Sequence, residues 1–239
     1  MNVAIIFAGG SGHRMNNTGC PKQFLELYGK PIIIYTLEVF QKHPEIDAIV
    51  VPCIHGWEDY LLDLADQYKI TKLKKVLTGG KNTQESKWKA LEYLKSVCQP
   101  DDIVLLHDAV RPIIRPQLIS ENIASVKAYG SAISAAPFIE TCIVSGDKRS
   151  VDQAIPRNTL FIAKAPQSFY FRDAYEAHGK GVDMPYTITI DTCSLMTELG
   201  KPLHIVPCGN DNIKITTPDD FFIFKALVNL QENKNIFGI

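Results

Sequence analysis

The first residues able to do chemistry lie close to the N-terminus. Gly9, Gly10 and Gly12 follow an apolar run, Val3 to Ala8, and Arg14 comes next, with Lys22 a little further on in "CPKQF". A strand that falls into a glycine loop exposes backbone N–H groups, and such groups cradle oxyanions. Two nearby cations neutralise spread charge, so the set suits a triphosphate. On the glycines alone a tight turn reads equally well; Arg14 and Lys22 favour the phosphate. Two familiar phosphate loops are excluded. A P-loop needs Gly, four residues, then Gly-Lys-Ser/Thr, and no such string follows Gly9 or Gly10. The dinucleotide fingerprint needs a third small residue, and Met15 stands there instead.

Positioning these groups falls to short apolar runs that alternate with stretches of helical period. Val3 to Ala8, Asp47 to Cys53, "LKKVLTGG" and "DIVLLHDAVRP" read as buried strands, followed by Ser131 to Ile139. Between them, helices are expected over Pro31 to Gln41, Trp57 to Tyr68, Gln84 to Val97 and Pro116 to Tyr129. The rhythm changes at about 140–161, where "TCIVSGDKRSVDQAI" reads as a hairpin arm around a Ser-Gly-Asp turn. Helices Phe169 to Ala177 and Asp191 to Leu199, strand Leu203 to Pro207 and helix Pro218 to Gln231 complete the chain. Alternation of this kind predicts an α/β fold, a Rossmann-like three-layer sandwich whose mostly parallel sheet carries an inserted β-hairpin arm. The whole chain, 1–239, is expected to form a single domain. Ligands bind such sheets at the carboxyl ends of the strands. The glycine loop, Gly79–Gly80 and His107–Asp108 all fall at that edge.

Composition narrows the partners. With 25 basic and 26 acidic residues the net charge is −1, so no basic field points to nucleic acid or an acidic membrane. The six cysteines have neither CxxC nor metal-ligand spacing, which fits a reducing cytoplasm. The histidines show no HxxxH or HExxH pair, which argues against a zinc hydrolase. The N-terminal apolar run is too short for a signal peptide or a membrane span, and a cytoplasmic location is expected.

Taken in order, "AGGSGHRM", "PKQF", "HDAVRP", "IPRN", "APQSF", "TID" and "DNIKITTPDD" resemble the CTP-dependent sugar-alcohol-phosphate cytidylyltransferases, over almost the whole length. The resemblance implies that the loop Ala8, Gly9, Gly10, Ser11 and Gly12, with Gly80 and Ser86, holds the cytosine nucleotide; a helix start would use Ser86 equally well. Arg14, Lys22 and Lys214 match the catalytic cations, and Asp108 matches the carboxylate that holds Mg²⁺, although His107 and Asp108 also suit a cap at a strand end. Arg111, Thr141, Arg157 and Asp191 match the acceptor side; on the residues alone, Arg157 reads equally as a solvated arginine. In the family the arm crosses to a second subunit, which implies a homodimer with composite sites.

The implied reaction is attack by a phosphomonoester oxygen on the α-phosphorus of CTP, with release of pyrophosphate. That nucleophile is already an anion, so positioning and charge neutralisation carry the catalysis rather than a general base. The sequence departs from the family at Thr83, where an arginine is usual and Lys81 stands nearby, and at Ala165 and Ile190, where hydroxyls are common. The valine of "HDAVRP", with Ala165, favours an alditol phosphate as acceptor, ribitol 5-phosphate first and glycerol phosphate next. CDP-alditols feed teichoic acids and capsules. The alternatives are 2-C-methyl-D-erythritol 4-phosphate, whose product feeds isoprenoid synthesis, and a nucleotide-binding protein without catalysis.

Overall fold

The computed structural model describes residues 1–10 and 19–237. In chain order, β1 (Asn2–Phe7) is followed by a 3-10 turn (Lys22–Phe24), the small ribbon β2 (Glu26–Leu27) and β3 (Lys30–Pro31), and helix α1 (Ile32–Lys42). Next come β4 (Ala48–Cys53), α2 (Glu58–Gln67), β5 (Leu73–Thr78), α3 (Thr83–Leu94), β6 (Ile103–Asp108), α4 (Pro116–Tyr129) and β7 (Ser131–Pro137). The arm is β8 (Cys142–Val144) and β9 (Gln153–Ile155). After it lie β10 (Phe161–Tyr170), α5 (Phe171–Lys180), α6 (Tyr186–Thr189), α7 (Thr192–Glu198), β11 (Ile205–Pro207) and α8 (Pro218–Phe237).

Seven strands form the central sheet in the order β11-β7-β10-β6-β1-β4-β5. β1 pairs in parallel with β4 and β6, opposing Val3 to Ala48 on one side and to Val104 on the other. Period-2 alternation along β1 splits its side chains between two cores. Ala4 and Ile6 pack with Ile33, Leu37 and Phe40 of α1, Leu61 of α2 and Ile119 and Ile123 of α4. Val3 and Ile5 pack on the other face with Leu91 and Leu94 of α3, Ala174 of α5 and Leu195 of α7. Each fully buried Ile or Leu stabilises this arrangement by about 2–3 kcal/mol. The three layers match the expected fold. No helix among the described residues is long and apolar enough to cross a membrane.

Local signals explain the helix ends. Pro31 precedes α1 and Pro116 opens α4, where a missing N–H costs nothing. Gly130 ends α4 at φ 83, a left-handed conformation that disfavours other residues. The arm pairs as expected, Cys142 opposite Ile155 and Val144 opposite Gln153.

The clearest difference from the sequence reading is β10. A helix was expected from Phe169, yet Phe161–Tyr170 is a strand and the helix begins at Phe171. β10 runs antiparallel between β6 and β7, and its register shifts between Ala163 and Gln167. Lys164, Pro166, Gln167 and Ser168 interrupt its apolar run, and a proline within a run argues against a central strand. The bulge accommodates Pro166, so the strand survives. The short helix α6, which brings Tyr186 to the site, carries no amphipathic signal in so few residues.

Candidate active site

At the carboxyl edge of β1, β5 and β6 lies a cavity of about 510 Å³, with Gly9, Gly10, Lys22, Ser86, Asp108 and Lys214 on its wall. These residues come from five separate stretches of chain, and the parallel strands bring them to one edge.

Asp108, the last residue of β6, anchors the wall. Its Oδ1 accepts from Lys214 Nζ and its Oδ2 from Arg111 Nε, both at 2.8 Å. Burial alone raises a carboxyl, but Lys214 and Arg111 outweigh it and hold Asp108 well below the ordinary carboxylate range. Arg111 also donates to the Asn212 carbonyl at 3.0 Å, which ties the loop bearing Lys214 to the end of β6. His107 sits fully buried behind this turn, and its Nε2 donates to the Arg111 carbonyl at 3.1 Å. Its Nδ1 has no partner among the described residues, and burial lowers the imidazole to about 4. The ring is therefore neutral and holds the 108–111 turn in shape.

Lys22 reaches the same cavity from the 3-10 turn, with Nζ donating to the Ile215 carbonyl at 3.1 Å, next to Lys214. The neighbouring Gln23 is buried and donates to the Ala8 carbonyl at 2.6 Å. Ala8 itself lies beneath the wall. Its N–H goes to the Pro52 carbonyl, and its own carbonyl also accepts from Ile54 N–H, so it sets the course of the loop with groups already committed.

On the opposite wall, Ser86 Oγ accepts from Gly80 N–H and donates to the Asn82 carbonyl, both at 2.9 Å. Both readings of Ser86 therefore meet in one residue, which faces the cavity and also fastens the start of α3. A Cβ on Gly80 would come within 2.3 Å of Glu85 Cβ, so only glycine allows this turn. Asn82 caps α3 by accepting from Glu85 N–H at 2.9 Å. Lys81 and Thr83 both line the cavity, so a cation is present close to where the family arginine is missing.

The remaining residues lie elsewhere. Ser11, Gly12 and Arg14 fall outside the described residues. Asp191 caps α7, accepting from Ser194 N–H at 3.2 Å, and its other oxygen accepts from Gln167 Nε2 at 2.9 Å. Thr141 and Arg157 are exposed on and beside the arm, away from the cavity of their own chain, and Arg157 donates to the Ile139 carbonyl at 3.2 Å. Asp211 faces Arg115 at 2.7 Å, on the wall of a different cavity.

Sequence reasoning missed Gln23, Tyr186 and Thr216, which line or support the cavity, and above all Lys164. Lys164 is buried in the bulge of β10, with Nζ donating to the carbonyls of Gly209, Asn210 and Asn212 at 3.4, 3.1 and 3.2 Å. A lysine inside a strand signals a buried partner, but the partner, a loop some 45 residues away, is visible only in the fold.

No cluster of three or more His, Cys, Asp or Glu that could hold a metal occurs among the described residues. A single carboxylate suits an ion that takes its other ligands from phosphates and water, and each Asp108 oxygen keeps a free lone pair. The site fits a metal carried in with a nucleotide rather than one caged by the protein.

Residues 2–230 match the model of the IspD family, 2-C-methyl-D-erythritol 4-phosphate cytidylyltransferase. A ribitol-5-phosphate cytidylyltransferase of Vibrio parahaemolyticus is 48% identical over 238 residues, covering 100% of both chains. A protein of the same description from Streptococcus agalactiae is 44% identical over 239 residues, again covering 100% of both. The crystal structure of 4-diphosphocytidyl-2C-methyl-D-erythritol synthase from Anaerococcus prevotii superposes with a TM-score of 0.81 at 25% identity, covering 96% of each chain.

Proposed function

The chain belongs to the IspD family of cytidylyltransferases, and from that premise we propose that it transfers the cytidylyl group of CTP to ribitol 5-phosphate, giving CDP-ribitol and pyrophosphate. Membership of this enzyme class removes the non-catalytic reading. The observation that carries the acceptor is the full-length likeness to ribitol-5-phosphate cytidylyltransferases.

The chemistry follows from two polyanions that must meet in one cavity. Lys22 and Lys214 stand on its wall, and their charges offset the repulsion between the triphosphate and the incoming phosphomonoester. Asp108 and Arg111 fix Lys214 so that little reorganisation is needed as charge shifts to the leaving pyrophosphate. The glycines at Gly9 and Gly10 leave backbone N–H groups free of side-chain cover at the phosphate end. Asp108 would hold Mg²⁺ brought in with the triphosphate, and the ion would supply further charge neutralisation. The acceptor phosphate attacks as an anion, and its oxygen displaces pyrophosphate from the α-phosphorus.

The arm supports a homodimer with shared sites. It and its flanks expose Ile139, Ile143, Val144, Val151, Phe161 and Ile162, apolar groups that a second copy would cover. Thr141 and Arg157 would then reach the partner's cavity, where Arg157 would meet the acceptor phosphate.

The test is pyrophosphate release from CTP and Mg²⁺ with ribitol 5-phosphate, glycerol 3-phosphate and 2-C-methyl-D-erythritol 4-phosphate in parallel. Ribitol 5-phosphate is expected to give the highest kcat/KM. Lys22→Ala is expected to lower kcat by about 100-fold or more while the protein stays folded. A preference for the methylerythritol acceptor, or near-normal turnover by that variant, refutes the assignment.

A further inference from the structure

Lys87 lies on α3 directly after Ser86 and is only 5% exposed. It shares its helix face with Ala90, Leu91 and Leu94, which form core. An ammonium in such a place is ordinarily paired. Lys87 makes no hydrogen bond or salt bridge with any described residue.

The charges around it come from four elements. Asp191, at the head of α7, and Asp108, at the end of β6, attract it; Lys214, in the loop after β11, repels it. His178 of α5 also faces it, and is kept neutral by its own burial and by the Lys87 charge. Burial lowers the ammonium to about 8 despite the two carboxylates, because neither touches it. Lys87 thus follows Ser86 of the cavity wall on α3, within electrostatic reach of the Asp108–Lys214 pair and of Asp191, with three donors unused among the described residues.

Asp191 is a matching acceptor. Each of its oxygens takes one bond, from Ser194 N–H and from Gln167 Nε2, and a carboxylate has about four lone-pair sites. A carboxylate beside an ammonium disfavours a phosphate and suits a diol, which needs one donor and one acceptor. The two positions that lack the family hydroxyl adjoin this spot in sequence. Ile190 precedes Asp191, and Ala165 lies two residues before Gln167.

We propose that Lys87 determines acceptor specificity, its ammonium donating to hydroxyl oxygens of the polyol chain while Asp191 accepts from them. The proposal rests on the alditol-phosphate reading of the same site. It makes Lys87 a residue held ready for substrate, at a cost to the stability of the empty enzyme.

Lys87→Met keeps the length and removes the charge. Expected for this variant is a melting temperature equal to or above that of the parent, and a KM for CTP within about twofold. The KM for ribitol 5-phosphate is expected to rise about tenfold or more, the effect of losing a hydrogen bond from a charged donor. Turnover of glycerol 3-phosphate, which lacks the distal hydroxyls, is expected to change by less than about threefold. A fall in melting temperature with all kinetic parameters declining together marks a structural lysine and overturns the proposal. An unchanged ribitol 5-phosphate KM, or an equal loss with both acceptors, overturns it too. If the parent enzyme prefers 2-C-methyl-D-erythritol 4-phosphate, the acceptor reading has failed. The KM comparison then moves to that acceptor, whose hydroxyls put the same question to Lys87.

Discussion

Acidification is expected to unfold this enzyme through two histidines, one of which shapes the active site. His107 and His178 are both fully buried. His107 is depressed from 6.5 to about 4, chiefly by burial. His178 lies well below 6.5, through burial and then the charge of Lys87. The unfolded chain binds a proton at each near pH 6.5, while the folded chain refuses it until far lower pH. Stability therefore rises with pH across this window and is lost as pH falls below about 6.5. At about 1.4 kcal/mol per unit, the His107 depression alone corresponds to about 3 kcal/mol by pH 4, a large share of a typical domain stability of about 5–15 kcal/mol. The assay is urea unfolding followed by circular dichroism at intervals from pH 7.5 to pH 4.5, on the parent and on His107→Gln. Glutamine keeps an amide donor for the Arg111 carbonyl but takes up no proton. Surface carboxylates titrate alike in both proteins and cancel in the difference. Asp108 contributes its stability above its ordinary value of 3.8 and loses it only as pH falls below that, outside the range measured. Between pH 6 and pH 4.5 the parent is expected to lose stability faster than the variant by about 1.4 kcal/mol per pH unit, one proton's worth. Parallel curves would refute the assignment of a buried neutral His107. Because the folded ring takes up its proton only near pH 4, kcat of the folded enzyme is not expected to fall through His107 between pH 6 and pH 4.5.

Two further outcomes follow from the geometry. Lys164→Met removes three hydrogen bonds that hold the 209–212 loop, and is expected to lower kcat about tenfold with little change in the KM for CTP. Lys164→Arg should restore part of that loss, and equal kcat in parent and Lys164→Met would show that the loop holds Lys214 without it. If the arm completes the partner's site, Lys22→Ala and Arg157→Ala chains, each nearly inactive alone, should regain activity when mixed and allowed to exchange. Persistent inactivity in a mixture shown by sedimentation to contain mixed dimers would count against shared sites.

Much of this molecule can be read along the chain, and the reasons are local. The strands β1, β4 and β6 announce themselves as short apolar runs because both faces are buried. Gly9, Gly10 and Gly80 mark the loops because turns and close approach require glycine. Lys22, Asp108 and Lys214 stand out as charges placed against apolar runs, and the structure brings them to one cavity. β10 was hidden because Pro166 and three polar side chains break its pattern, and only pairing on both edges with β6 and β7 makes it a strand. Asp191 is a helix cap, and its acceptor role is the one proposed together with Lys87; a single sequence signal serves both readings.

By itself the sequence determined the alternation of strand and helix, the glycine loop and the identity of the charged groups, since these depend on side-chain type and short-range spacing. The tertiary structure alone decided which charges meet. Asp108 finds Lys214 across 106 positions, and Lys164 is joined to a loop about 45 residues away. It also decided which charges go unmet: Lys87 looks like any helical lysine in sequence. Its burial without a partner among the described residues is set by packing of α3 against α5 and the sheet, and pair distances in a low-dielectric interior are a property of the fold.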